Sequence, residues 1–141
     1  AEECAAFLAK TPITLLRDSV AMLENGVQII GRDDHANRRR KPLKQLIGEC
    51  DKSKPIIVID HQPYQLEKAD SLGVDFQFSG HTHRGQVFPL NLLTDHMFEQ
   101  SHGYRHWLNA HIIVSSGLAL WGPPFRIGTK SELMVINING K

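Results

Sequence analysis

Apolar and polar residues alternate in short blocks along this chain, and most of the blocks predict strands. Ile56–Ile59 is a run of four β-branched residues, too short for a helix and typical of a strand buried on both faces. Residues 74–78 alternate apolar and polar side chains, which predicts a second strand with one buried face. Residues 65–73 between them predict a short helix that ends at Gly73. A strand, helix and strand in this order favour two parallel neighbours.

The remaining blocks predict a hairpin, two more helices and further strands. Asn25-Gly26 between two apolar runs is a strong hairpin signal. Residues 87–103 have no clear period and predict a long surface excursion. We therefore expect an α/β fold with a mixed sheet and two or three helices. The predicted helices cover residues 2–10, 42–50 and 65–73, and the further strands cover residues 13–16, 104–108, 111–115 and 133–138.

Composition narrows the class of protein. The 141 residues, 41% apolar and 22% charged, are those of an ordinary soluble globular domain. A net charge of +1 creates no long-range field that would attract nucleic acid, so no nucleic-acid partner is expected. The basic run Arg38–Lys41 favours a solvated loop, with contact to phosphate or a lipid headgroup as the alternative. No apolar stretch approaches the roughly 18 residues needed to span a membrane.

Histidines follow both of the strands predicted to be parallel. His61 comes directly after the first, and His81 and His83 come after the second, between Gly80 and Gly85. In extended backbone, residues i and i+2 point to the same side, which predicts that His81 and His83 aim into one volume. Parallel neighbours place His61 on the same rim of the sheet, where open α/β sheets bind ligands. Because imidazole is a common ligand of transition metals, the three histidines predict a metal site.

The histidine motifs carry a resemblance to a known family. Asp60–Pro63 and Gly80–Gln86 resemble the last two metal-binding motifs of calcineurin-like metallophosphoesterases, and Val114–Gly128 is similar to the C-terminal block of a bacterial branch with a GHTHxGQ motif. The family's earlier Gly-Asp-x-x-Asp and Gly-Asn-His-Asp/Glu motifs do not occur in this sequence. The resemblance therefore implies that residues 1–141 are a partial domain, the C-terminal half of a metallophosphoesterase-type α/β/β/α sandwich.

The resemblance also implies a site and a reaction for the whole enzyme. His61 and His81 would ligate one ion of a dinuclear Mn, Fe or Zn pair, and His83 would ligate the other. The missing half would supply the acidic ligands, including an aspartate that bridges the two ions. A phosphodiester or phospholipid-like substrate would then be hydrolysed by direct attack of metal-bound water. Arg84 is predicted to contact the substrate phosphate, because guanidinium suits bidentate binding of oxyanions.

Charge limits what this chain is expected to do alone. Three neutral imidazoles bring no negative charge, so two divalent cations would repel each other without a bridging carboxylate. Asp60 is expected to face away from its neighbour His61, and Asp33, Asp34 and Asp75 lie elsewhere on the chain. We therefore expect at most one metal ion, no catalytic residue within the chain and no useful activity from it.

Two alternatives and a set of partners complete the predictions. A non-catalytic binding module would use a mononuclear histidine site or the excursion at residues 87–103. Nucleic-acid binding through Arg38–Lys41 is disfavoured by the balanced charge and the lack of interleaved aromatic residues.

The expected partners are a phosphoester substrate and the missing half of the domain. Without that half, an apolar sheet face would be exposed and would self-associate. The resemblance leaves open whether the parent protein is exported or anchored to a membrane.

Overall fold

Short strands and short helices alternate along the chain in the computed structural model, which describes residues 2–139. The helices are α1 (Glu2–Leu8), α2 (Leu43–Gly48), α3 (Leu66–Ser71), α4 (Leu90–Met97) and a 3₁₀ turn (His83–Gly85). The strands are β1 (Ser19–Met22), β2 (Gln28–Gly31), β3 (Ile56–Ile59), β4 (Phe76–Ser79), β5 (Gly103–His106) and β6 (His111–Val114).

The strands form one mixed sheet in the order β1-β2-β3-β4-β6-β5. The four central strands are parallel, and β1 and β5 pair antiparallel at the edges. The register of β3 and β4 pairs Ile57 with Phe76, and α3 is the crossover between the two strands, as the sequence predicts. The carboxyl ends of four parallel strands therefore meet at one rim. The Asn25-Gly26 hairpin is also confirmed, with Met22 opposite Gln28.

The two faces of the sheet have different surroundings. On one face Ile30 and Val58 pack with Leu46 of α2 into a buried cluster, and Ile112 packs with Leu66 of α3. The other face carries apolar side chains that are only partly buried or exposed, and we call it the open face. Its side chains come from all four parallel strands: Ile29, Ile57, Ile59, Phe76, Phe78 and Ile113. Helices therefore cover one side of the sheet, and the structure leaves the other side accessible.

Three elements differ from the sequence prediction. Residues 13–16 and 133–138 are not strands, because a strand requires a hydrogen-bonded neighbour and neither segment joins the sheet. The excursion at 87–103 contains α4, which raises the number of α-helices to four. Leu90, Leu93 and Met97 of α4 follow a helical spacing, but all three are exposed. Within residues 2–139, no helix has the length and apolar character needed to cross a bilayer.

Candidate metal centre

His61 and His81 meet at the rim formed by the carboxyl ends of β3 and β4. The two turns after these strands are joined by the Gly80 N–H, which donates to the His61 carbonyl at 3.0 Å. His61 Nε2 lies 3.2 Å from His81 Nδ1, and the ring centroids are 5.0 Å apart with nearly perpendicular planes. The structure therefore brings together two of the three histidines that the sequence selects.

The turn that carries His81 and His83 is not extended. His81, His83 and Arg84 have φ values of 70°, 48° and 50°, in the left-handed region. The same-side argument from alternating extended residues is therefore wrong here. Gly85 has a φ of 72°, and a Cβ at this position would lie 2.2 Å from the backbone nitrogen of Asn91. Glycine is thus required at Gly85 by conformation and by close approach of backbone.

Hydrogen bonds made by Thr82 hold this turn. Thr82 is buried, and its Oγ1 donates to the Ser101 carbonyl at 2.6 Å and accepts from the Arg84 N–H at 3.2 Å. Arg84, predicted to contact substrate, is exposed beside this buried threonine. The arginine is therefore accessible at the rim, and its contact with substrate stays a prediction.

The C-terminal segment surrounds His83. The Arg126 guanidinium donates to the His83 carbonyl at 3.2 Å and lies 3.5 Å from His83 Nδ1. The same guanidinium donates to the carbonyls of Ser116, Gly117 and Ala119 at 2.8, 3.0 and 2.9 Å. Arg126 therefore ties the His83 turn to the segment after β6, a role that the sequence alone did not distinguish from packing.

Gln86 ties the same turn to residues further along the tail. Its buried side chain donates to the carbonyls of Trp121 and Pro123 at 2.6 and 3.0 Å and accepts from the Trp121 N–H at 2.6 Å. Read from the sequence, Gln86 is an ordinary loop polar residue. The structure shows that it anchors the tail.

Partial burial lowers the pKa of two of the histidines. It lowers the pKa of His81, and the nearby imidazole of His61 lowers it further. Burial also lowers the pKa of His83, with a further contribution from the positive charge of Arg126. Both shifts favour neutral imidazole, which is the form that ligates metal ions.

Asp60 pairs with arginines. It is 2% exposed, and its carboxylate accepts from Arg32 at 3.2 Å and from Arg40 in a second, short ion pair. Burial raises the pKa of Asp60, although both guanidiniums oppose the shift. Its engagement with two arginines agrees with the expectation that Asp60 does not serve the site beside His61.

Asp34 lies nearer to the site than the sequence indicated. Gln62, in the turn that carries His61, donates from Nε2 to Asp34 Oδ2 at 2.9 Å and accepts from the His35 N–H at 3.2 Å. The Ala36 N–H and Gln62 lower the pKa of Asp34, and the nearby charges of His61 and His81 lower it further. Asp34 therefore lies near the imidazoles, although within residues 2–139 it forms no metal-holding group with them. The missed signal is the parallel pairing of β2 with β3, which puts the residues after both strands at one rim.

The donor set in the described part of the chain is incomplete for a metal ion. Within residues 2–139, no group of three or more His, Cys, Asp or Glu side chains is arranged to hold one. The 3.2 Å between His61 Nε2 and His81 Nδ1 nevertheless suits two nitrogens that ligate one ion at about 2.0–2.1 Å. The imidazole pair therefore fits part of a coordination sphere and requires further ligands.

Comparison with known proteins finds several relatives whose names contain metallophosphoesterase. The chain is 34% identical to an uncharacterized metallophosphoesterase of Helicobacter pylori over 97% of this chain and 38% of that protein. It is 28% identical to one of Aquifex aeolicus over 96% of this chain and 54% of that protein. It is 33% identical to a Danio rerio transmembrane protein with metallophosphoesterase domain over 78% of this chain and 27% of that protein.

The matches cover most of this chain but only part of each relative. The chain spans 38% and 54% of the two bacterial relatives, so it corresponds to a part of each. No protein-family model and no solved structure matches the chain. Relatives named metallophosphoesterases across most of the chain support that family, and the mixed α/β fold is consistent with a fragment of that type.

Proposed function

We propose that the chain is the C-terminal part of a metal-dependent phosphoesterase of the GHTHxGQ branch, acting on phosphodiester or phospholipid-like substrates. The observation that carries the proposal is the 3.2 Å approach of His61 Nε2 to His81 Nδ1 at the carboxyl rim of a parallel sheet. This pair lies in a chain similar over most of its length to proteins named metallophosphoesterases. Ligand binding at that rim is the general property of open α/β sheets.

Each residue at the rim has a proposed task. In the whole enzyme, His61 and His81 would bind one divalent ion and His83 would bind a second. In this chain alone, the three histidines would hold a single ion. A divalent ion in such a site lowers the pKa of bound water and neutralises phosphoryl charge. Arg126 holds the His83 backbone through its carbonyl at 3.2 Å. Exposed Arg84 offers a guanidinium to the phosphate oxygens.

These residues alone are proposed to be inactive. A pair of divalent ions requires a bridging carboxylate to offset their repulsion. Asp60 is bound to Arg32 and Arg40, and Asp34 is bound to Gln62. We therefore propose at most one ion in this chain, with the bridging ligand supplied by the other half of the domain.

We propose that the other half of the domain packs against the open face. Its apolar rows include Ile57, Phe76 and Ile113, which border a cavity of about 720 Å³. Two sheets pack face to face at about 10 Å through such rows. Where the other half is absent, we propose that a second copy of the chain covers the face. By analogy with the Danio rerio relative, whose name describes a transmembrane protein, we propose that the parent protein is membrane-anchored or exported.

A second candidate is a non-catalytic binding module with a single metal ion. It would need only the His61–His81 pair and external ligands, since within residues 2–139 no cluster of three or more metal-ligating side chains is present. An assay of a longer polypeptide that includes upstream sequence distinguishes the two candidates. Phosphoesterase activity in that polypeptide supports the enzyme, whereas a binding module stays inactive.

The test combines metal analysis with an assay. We expect the chain to bind no more than one Ni²⁺, and His61→Ala and His81→Ala to weaken this binding about 100-fold through loss of one ligand. His96→Ala, in exposed α4, is the matched control and keeps the affinity. With Mn²⁺ and bis(4-nitrophenyl) phosphate we expect no turnover by this chain, and turnover once an upstream segment with Asp-x-His is included. Two ions bound by this chain, or turnover by it alone, would contradict the proposal.

A further inference from the structure

A second polar cavity lies beside the candidate metal centre. It has a volume of about 250 Å³ and is formed by the loop after β2 and the turn after β3. We call it the basic pocket. The residues that carry its chemistry are Arg32, His35, Arg38, Arg40, Lys41 and Tyr64.

Four cationic side chains line the basic pocket, and no carboxylate is among its described lining residues. Arg32, Arg38, Arg40 and Lys41 contribute four cations, and the buried carboxylate of Asp60 pairs with two of them. Lys41 also forms an exposed ion pair with Glu49 at 3.6 Å. Arg38, the remaining one of the four cations, is exposed. A pocket lined, within residues 2–139, by cationic side chains and by no carboxylate offers charged donors to an anion.

Two of these arginines are deeply buried and incompletely bonded. The side chains of Arg32 and Arg40 are 10% and 8% exposed. The Nε of each is buried without a hydrogen-bond partner among the described residues. An incompletely bonded charged group that is buried is costly, and the negative charge of a nearby anion offsets part of that cost. A phosphate-type oxyanion supplies several acceptor oxygens and negative charge together.

A strip of rings leads from the basic pocket to the imidazole pair. His35 of the pocket lies 4.7 Å from Tyr64, Tyr64 stacks on Phe98 at 5.3 Å, and Phe98 lies 6.2 Å from His81. His81 in turn meets His61. Tyr64 and Phe98 are partly exposed, so the strip is a surface along which one ligand reaches both places.

We propose that the basic pocket is a binding site for a phosphate-type oxyanion, separate from the imidazole pair and joined to it by the ring strip. The anion is either free phosphate or the phosphate of a lipid headgroup, and both present the same oxygens. If the proposed function holds, one substrate spans the strip with one anionic group at each end. Anion binding by the pocket does not depend on that function.

The test measures binding of inorganic phosphate to the metal-free full chain by isothermal titration calorimetry. A His61→Ala background removes one member of the imidazole pair. We expect one saturable site, and we expect Arg38→Gln to weaken it about tenfold, since a charged donor is lost from the lining of the pocket. Among the described residues, Arg39 is exposed and is not part of the lining. Arg39→Gln is therefore the matched control, with less than a twofold change expected.

A second probe separates the two sources of phosphate. Vesicles of phosphatidylcholine with phosphatidic acid are sedimented with the same variants. Phosphate binding alone supports a free ion, and vesicle binding that Arg38→Gln weakens supports a headgroup. The proposal is overturned if neither probe binds saturably, or if Arg38→Gln and Arg39→Gln weaken binding equally. It is also overturned if His61→Ala by itself abolishes phosphate binding, an outcome that leaves the phosphoesterase proposal intact.

Discussion

The two turns that carry His61 and His81 lie side by side at one rim but are held in different ways. The His61 turn is joined to residues earlier in the chain by charge, through Asp60 with Arg32 and Arg40. The His81 turn is joined to residues later in the chain by bonds to backbone, through Gln86 and Arg126. A backbone hydrogen bond of 3.0 Å, from the Gly80 N–H to the His61 carbonyl, links the two turns directly.

This difference indicates that each half of the imidazole pair has its own support. Removing a charge from a buried ion pair leaves unpaired charges behind, whereas removing a neutral side chain from backbone carbonyls leaves groups that water can reach. The support of His61 is therefore expected to be the more sensitive of the two. Substitutions that remove one support at a time test this expectation.

The largest effect is expected for Asp60→Ala. Asp60 is 2% exposed, and its removal leaves the guanidiniums of Arg32 and Arg40 buried without a carboxylate. We expect the free energy of unfolding, measured by urea denaturation, to fall by about 3–5 kcal/mol. Glu49→Ala breaks an exposed ion pair with Lys41 and is expected to cost about 1 kcal/mol or less. Equal losses in the two variants would show that burial of Asp60 is not what supports the His61 turn.

Gln86→Ala is expected to have the next largest effect. It removes the three side-chain bonds to Trp121 and Pro123, so the free energy of unfolding should fall by about 2 kcal/mol. Amide hydrogen exchange should accelerate at Trp121, whose N–H loses its acceptor. Gln45→Ala, at an exposed position of helix α2, is the control and should leave the exchange at Trp121 unchanged. Unaltered protection at Trp121 in Gln86→Ala would contradict the role assigned to Gln86.

The sequence predicted the elements that rest on local pattern. The β-branched run at Ile56–Ile59, the crossover helix and the alternating strand that follows are in the structure, and they place His61 and His81 together. The parallel arrangement follows from the chain order alone. The pattern of residues 133–138 resembled a strand equally well, but no neighbouring strand pairs with it in the described sheet.

The side chains that hold the site in place could not be predicted from the local sequence pattern. Gln86 reaches a backbone 35 residues away, and Arg126 reaches a carbonyl 43 residues away. The left-handed conformation of His81 and His83 is part of a turn that such distant contacts hold, so an extended geometry was the wrong expectation. The alternation of apolar and polar residues predicts the strand that precedes a turn. The backbone conformation of the turn itself depends on tertiary contacts that this alternation does not encode.

Arg126→Met tests support of His83 with a readout other than stability. Arg126 donates to the carbonyl of His83 and lies 3.5 Å from its ring nitrogen. If the proposed metal centre includes His83, loss of this support should weaken Ni²⁺ binding, measured by calorimetry, about tenfold. Arg126→Lys should recover part of the affinity, because the lysine retains a charged donor. Arg84→Met, at the exposed neighbouring position, should leave Ni²⁺ affinity within twofold of the original chain, and an equal loss there would assign the effect to local charge.

The smallest effect is expected for Gln62→Ala, which tests the second link of the His61 turn. Gln62 is 7% exposed, but the Asp34 carboxylate that it donates to is exposed and can bind water instead. We therefore expect a loss of about 1 kcal/mol in the free energy of unfolding, measured by urea denaturation. Combined with Asp60→Ala, the two losses should not add, because both side chains join the same turn to the same loop. If the two losses in the free energy of unfolding add in full in this double-mutant cycle, Asp60 and Gln62 support the His61 turn independently of each other.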